Sequence, residues 1–205
     1  QRSNNTLVGF MKRLKVFFSW CIEEGVISES PLAGFEMPTE KYGTPIYITK
    51  EELHTIYNCD LSDAPHLDRQ RDIFVFQCCI GCRVGDLVRL TKADVINGAI
   101  EYIASKTIEE NQKTILVPLN KTALAILEKY KDYEGPKLLP FITQPKYNDA
   151  IKEIFTRAGI TRNVTYLNPL TEREEKVPIN TIASSKWPEE LLSAISIGLN
   201  RRMAS

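Results

Sequence analysis

The sequence predicts an α+β fold that is mostly helical and carries one small antiparallel β-sheet. Two observations lead to this prediction: several segments place apolar residues at helical spacing, and two short β-branched runs flank a polar loop. Hydrophobic residues make up 43% of the 205 positions, which is enough to bury a core. The chain therefore has the composition of a globular protein.

Helices are predicted from apolar spacing over residues 6–24, 50–57, 69–90, 122–131 and 147–160. Thr49 is a candidate N-cap, because Glu52 stands three residues later as its capping-box partner. Gly81 splits the 69–90 segment into a helix, a break and a second helix. These local signals fix where the helical elements begin and end.

Strands are predicted over residues 98–104 and 113–119, which form a hairpin or the edge of a three-stranded sheet. Residues 164–179 could form a second small hairpin. The polar stretch 36–45 contains two prolines and a glycine and is the best candidate for a linker. We expect a helical unit in residues 1–38, a linker over 39–45 and a larger unit over 46–205.

Charge and cysteine content exclude several classes of protein. The chain has 26 basic and 26 acidic residues, so it is not a polybasic protein, although a local basic face remains possible. No apolar run approaches the roughly 20 residues that span a bilayer, and no signal peptide is recognisable. The odd number of five cysteines indicates reduced thiols. We expect a cytoplasmic protein without a membrane partner.

The stretch QCCIGCRVGDL, residues 77–87, is the most unusual in the chain. Cys79 and Cys82 have the spacing of one half of a metal site, but Cys21, Cys59 and both histidines are isolated. We predict no metal site, and a redox pair is a weaker alternative to cysteines that pack as apolar residues. Arg83 starts a helix after the break, and its simplest structural role is an ion pair with Asp86.

Residues 80–95 resemble the first catalytic box of the tyrosine recombinases, the phage integrase family. That box reads T-G-x-R-x-x-E/D-L-x-x-L-x-x-x-D-I, and this chain matches at Gly81, Arg83, Asp86, both leucines and Asp94. Residues 102–119 are similar to the β-hairpin of that family, with Lys106 after the first strand and V-P-L at the end of the second. The resemblance continues through both following helices to about residue 185 and is closest to integrases of Bacteroidetes-type mobile elements.

The resemblance implies a fold, a chemistry and a set of site residues. Residues 1–38 correspond to the last helices of a core-binding domain, and the catalytic domain follows from residue 46. In the family a tyrosine attacks a DNA phosphodiester and forms a phosphotyrosyl intermediate. Arg83 would hold the phosphate oxygens, supported by Asp86, and Lys106 would act as general acid, with Lys113 as a competing candidate. No metal or other cofactor and no small-molecule substrate are implied.

Further DNA contacts are expected from Thr107 and Lys146, and less strongly from Lys12 and Arg13 on the first predicted helix. The resemblance implies double-stranded DNA as the partner, and the intact enzyme is expected to self-associate on it. These contacts are mostly to phosphates, so binding should depend on salt. Such a protein would be bacterial, cytoplasmic and associated with the nucleoid.

The match to the family pattern breaks after Ser184 and Ser185, where the family has a second box, H/K-x-x-R-[HR]-[TS]-F, and then the tyrosine nucleophile. Lys186 fits the first position, but Glu189 stands where the arginine belongs, and the last tyrosine in the chain is Tyr166. We therefore expect the 205-residue chain to be inactive in cleavage and its catalytic domain to be incomplete after about residue 185.

A frameshift is one hypothesis for this break. Codons for WPEELLSAISIGL can be chosen so that the neighbouring frame reads MARRTFVGNLYR, which places A-R-R-T-F at the expected distance. A natural divergent tail is the alternative. The favoured function is a site-specific recombinase or integrase, truncated or frameshifted here. The rival is a degenerate integrase that binds DNA or regulates without cutting it.

Overall fold

A computed structural model describes residues 3–105 and 114–188 of the chain. The chain divides into two compact units. One is built from the residues up to Thr44 together with Val164–Val177, and the other from Pro45–Asn163 and the residues from Pro178 onward. Within the described residues, no helix is both long enough and apolar enough to cross a membrane.

The first unit contains one long helix, α1 (Asn4–Glu23). Ser3 caps its N-terminus by accepting a hydrogen bond from the Thr6 N–H, and Gly25 follows its C-terminus with a positive φ of 69°. Asn5 on this helix bonds the backbone of Lys41 through both its amide nitrogen (2.7 Å) and its amide oxygen (3.0 Å). The helix is thereby fastened to the extended segment after it.

The second unit is built around α3 (Pro65–Ile80), which is buried on nearly all sides. The other α-helices that the structure describes in this unit are α2 (Lys50–Tyr57), α4 (Val84–Leu87), α5 (Lys121–Lys129), α6 (Gln144–Arg157) and α7 (Ile179–Ile182). Among them, α2, α5 and α6 pack against α3. Polar residues of α3 such as Asp72 and Gln77 are therefore enclosed and need partners from other elements.

A three-stranded antiparallel sheet lies between α4 and α5 in the chain. Its strands are β1 (Val95–Ile96), β2 (Ala99–Ile103) and β3 (Thr114–Pro118), in the order β1-β2-β3. Ile100 on the central strand is fully buried and pairs with Val95 on one side and Val117 on the other. A separate two-stranded sheet consists of β4 (Asn163–Leu167) and β5 (Glu174–Pro178).

These elements confirm the predicted α+β class. The capping box at Thr49 is present, because its hydroxyl accepts from the Glu52 N–H at 3.1 Å and the Glu52 carboxylate accepts from the Thr49 N–H at 2.8 Å. Gly81 ends α3 in the left-handed conformation, with φ 61°. The helix after this break is only four residues long, and beyond it the Leu90 carbonyl accepts the distant Leu138 N–H at 2.8 Å.

A buried ionic cluster joins α3 to α5. The Asp72 side chain is 2% exposed, and its carboxylate accepts from the Arg71 guanidinium, from Lys129 Nζ at 2.6 Å and from the Tyr130 hydroxyl at 2.9 Å. Asp68 contacts the same arginine at 2.6 Å and the same lysine at 2.7 Å. Burial and the neighbouring Asp72 carboxylate raise the pKa of Tyr130 well above its usual value. The cluster satisfies charges that would otherwise be buried alone.

Candidate functional site

The turn that carries Arg83 is fixed by its own backbone. Gly81 reverses the chain with a positive φ, and Arg83 then adopts an extended conformation, φ −66° and ψ 148°, as the N-cap residue of α4. Its carbonyl accepts the N–H groups of Asp86 at 3.0 Å and Leu87 at 2.9 Å. Arg83 is a partly exposed residue and stands at the start of a helical turn.

Asp86 links this turn to the end of strand β2. It is 3% exposed, and its Oδ1 accepts the Ser105 N–H at 3.0 Å and the Ser105 hydroxyl. The same oxygen accepts from Arg89 Nη2 at 2.9 Å, and that guanidinium also donates to the Ile103 carbonyl at 3.3 Å. Asp86 therefore holds the strand end that directly precedes Lys106 in the chain.

Lys106 and Thr107 lie outside the described residues, as does the competing candidate Lys113. Sequence analysis did not single out Ser105 or Arg89. The contact between Arg89 and Asp86 could have been predicted from the sequence, because Arg89 stands three residues after Asp86, at ion-pair spacing. The sequence gives no indication of the contact between Ser105 and Asp86, because it depends on how the sheet packs beside α4.

Lys146 lies in an open cleft between α4 and the start of α6. The cleft has a volume of about 740 Å³ and is lined by Val84, Gly85 and Val88 on one side and by Gln144 and Lys146 on the other. Lys137 also lines it and was missed by the sequence analysis. The structure therefore brings Lys146 beside the helix that Arg83 begins. Lys137 and Lys146 give this cleft two positively charged side chains.

Lys12 and Arg13 lie on α1 in the first unit. Lys12 Nζ contacts Glu40 Oε2 at 2.9 Å, and this hydrogen bond lowers the pKa of the Glu40 carboxyl. The Arg13 guanidinium lies 5.9 Å from the centre of the Phe10 ring. Both basic side chains are on the surface, where exposed charges are commonly just solvated. A DNA-binding role for them stays a prediction.

The cysteines around the turn pack as apolar side chains. Cys78 and Cys82 are 3% and 1% exposed, and none of the five cysteines, all of which lie in the described residues, forms a disulfide. Burial raises the pKa of the Cys78 thiol and, less strongly, that of Cys79, which disfavours the reactive thiolate. Across the described residues, no group of three or more His, Cys, Asp or Glu side chains is placed to hold a metal ion.

Comparison with known proteins finds similar sequences among the tyrosine recombinases. No protein-family model matches the chain. Curated relatives do match: the tyrosine recombinase XerD of Listeria monocytogenes is 28% identical over 162 residues, which cover 78% of this chain and 52% of XerD. A tyrosine recombinase of Thermosipho africanus is 26% identical over 165 residues, covering 78% of this chain and 57% of the relative.

Solved structures share the fold. Lambda integrase bound to DNA superposes with a TM-score of 0.57 at 18% identity, covering 78% of this chain and 59% of the integrase. A lambda integrase dimer bound to a core site gives 0.55 at 19% identity, covering 87% of this chain and 67% of the integrase. These similarities show the fold of the integrase catalytic domain.

The sequence matches confirm the predicted resemblance to the tyrosine recombinases. Among its relatives are XerD and XerC recombinases. The chain spans about half the length of the curated relatives it matches.

Proposed function

We propose that this chain binds double-stranded DNA through its phosphates, with Arg83 at the centre of the contact. The observation that carries the proposal is the anchored turn: Arg83 begins α4, and Asp86 on that helix fastens the strand end before Lys106. The Arg83 turn and the end of the chain segment before Lys106, at Ser105, are thereby joined through one buried carboxylate.

The proposed chemistry follows from the charge of a phosphodiester in reaction. Negative charge spreads over the non-bridging oxygens, and a guanidinium presents a planar fork of donors that can bind two of them at once. Arg83 fits this role. Lys106 would donate a proton to the leaving 5′ oxygen, and Thr107 and Lys146 would contact neighbouring phosphates. In the whole protein, we propose, these groups serve DNA cleavage and rejoining through a phosphotyrosyl intermediate.

Partners and cellular location follow from the same proposal. Structures of lambda integrase include a dimer bound to a core site and a tetramer bound to a Holliday junction. By analogy, the whole protein would assemble in several copies on DNA. A recombinase of this family would work in the bacterial cytoplasm on nucleoid DNA.

Salt titration of DNA binding tests the proposal. The 205-residue chain is mixed with a fluorescently labelled duplex of random sequence, and anisotropy is recorded over a series of salt concentrations. If Arg83, Lys106 and Lys146 each neutralise one phosphate, a plot of log K against log salt should have a slope of about −3. Binding that is absent at low salt, or that shows no salt dependence, would contradict the proposal and favour a protein-interaction module.

Covalent trapping separates cleavage from binding alone. We expect no covalent adduct between the 205-residue chain and a pool of nicked suicide duplexes, because neither a second arginine box nor a tyrosine follows Ser185. The measurement is a denaturing gel that resolves protein linked to labelled DNA. Binding without an adduct agrees with the non-catalytic alternative as well as with an incomplete enzyme. A trapped adduct would show that this chain carries its own nucleophile.

The gene sequence separates those two cases. Codons after Ser185 that spell A-R-R-T-F in the neighbouring frame would support a frameshifted recombinase. Codons incompatible with that motif would favour a naturally divergent, non-cutting protein.

A further inference from the structure

The side chain of Gln77 occupies a position that neither the family resemblance nor the proposed phosphate contacts explain. It projects from α3, is 0% exposed, and uses its whole amide group. Its Nε2 donates to the Cys82 carbonyl at 3.1 Å and to the Ser185 carbonyl at 2.9 Å. Its Oε1 accepts from the Tyr147 hydroxyl at 3.1 Å. A glutamine with both hydrogens and its oxygen engaged can adopt only one orientation.

The two carbonyls that Gln77 joins belong to segments far apart in the chain. Cys82 directly precedes Arg83, and its carbonyl is part of the peptide bond that leads into the Arg83 turn. Ser185 lies 108 positions after Gln77 and leads into Lys186 and Trp187. One amide group therefore sets the distance between the Arg83 turn and residues 185–187.

Helix α6 supports this bridge from the other side. Tyr147 is fully buried and donates to Gln77, and its neighbour Asn148 accepts the Ser185 N–H at 3.0 Å. Ser185 is thus held through both of its backbone groups. Its own hydroxyl is buried and has no hydrogen-bond partner among the described residues. The segment is fixed through its backbone and not through its serine side chain.

We propose that Gln77 is a positioning residue, which holds the Arg83 turn and residues 185–187 at a fixed separation. The inference deepens the proposed function, and it rests on that function only where it concerns DNA. Loss of the bridge would remove the donor that the Cys82 and Ser185 carbonyls share and the acceptor of the Tyr147 hydroxyl, all in a buried site. The least costly relief is for residues 185–187 to move away from α3, since that segment has fewer other anchors than the helix has.

Trp187 makes this movement measurable. It is 5% exposed and packs edge-on against Phe155, with ring centres 5.6 Å apart. The other tryptophan, Trp20, is half exposed on α1 and is removed by Trp20→Phe. In that background, fluorescence reports residues 185–187 alone.

Gln77→Met is the main variant, because methionine keeps the length of the side chain but cannot donate to either carbonyl. Well below the melting temperature, we expect Trp187 emission at longer wavelength and a several-fold increase in quenching by acrylamide. Tyr147→Phe, which removes one hydroxyl and preserves the ring, should give a smaller shift in the same direction. It also covers the case in which Gln77→Met does not fold.

Two controls separate positioning from general loss of stability. Val75→Ala, on the same buried helix, lowers the melting temperature without touching the bridge, and Ser185→Ala removes only the unpartnered hydroxyl. Both should keep wild-type Trp187 emission. Wild-type emission in Gln77→Met and Tyr147→Phe, or an equal shift in Val75→Ala, would overturn the proposal.

DNA affinity provides an independent readout. Gln77→Met should weaken DNA binding by several-fold at constant salt, with no change in net charge. If the Trp187 emission of Gln77→Met shifts as expected but the wild-type chain binds no DNA, the bridge is supported and the proposed function fails. If the wild type binds DNA and Gln77→Met changes neither emission nor affinity, the proposed function stands and the bridge fails.

Discussion

Asp72→Asn is expected to lower the free energy of unfolding by about 3–5 kcal/mol, which is the cost of removing one partner of a buried ion pair. The Asp72 side chain is 2% exposed, and its carboxylate accepts hydrogen bonds from Arg71, Lys129 and Tyr130. Asparagine fills the same volume but removes the negative charge, so the buried part of the Arg71 guanidinium would face a neutral group. Urea denaturation followed by circular dichroism measures the change.

Asp68→Asn is the matched control. Asp68 contacts the same arginine and the same lysine, but its side chain is 28% exposed. Solvent screening limits the contribution of such an ion pair to the free energy of unfolding to about 1 kcal/mol or less. A loss in Asp72→Asn no larger than the loss in Asp68→Asn would show that the cluster does not fasten α3 to α5 as described.

The elements that sequence analysis predicted correctly have local signals. Thr49 and Glu52 form a capping box three residues apart, and Gly81 ends a helix because glycine adopts a positive φ without strain. The hairpin strands β2 and β3 follow from short β-branched runs around a polar loop. Each of these features depends on residues close together in the chain.

The parts that sequence analysis did not predict depend on contacts between distant residues. Asp86 has Ser105 as a partner 19 positions away, and Gln77 reaches Ser185 across 108 positions. In a helix buried on nearly all sides, periodicity cannot tell which polar residue is enclosed. The sequence alone therefore does not distinguish Gln77 and Asp72 from the other polar residues of α3.

Arg83→Ala should weaken DNA binding by roughly 10- to 100-fold, because a charge-assisted hydrogen bond contributes about 1.5–3 kcal/mol. The slope of log K against log salt should also become shallower by about 1, since one phosphate contact is lost. Arg83→Lys keeps the charge without the planar fork. It should therefore preserve the slope while recovering only part of the affinity.

The control for charge is Arg157→Ala. Arg157 lies on α6, and its guanidinium is already paired with Asp63 at 2.7 Å and Glu153 at 3.3 Å. Its replacement by alanine changes the net charge by the same amount as Arg83→Ala. Melting temperatures of all variants should be measured alongside, to check that the fold is intact.

The most direct test of the DNA-binding proposal is therefore the salt-dependent anisotropy of wild type, Arg83→Ala and Arg157→Ala on one labelled duplex. We predict wild-type affinity for Arg157→Ala, and weaker binding with a shallower salt slope for Arg83→Ala alone. Equal affinities and equal slopes for the two alanine variants would contradict a phosphate contact at Arg83, and with it the proposed function.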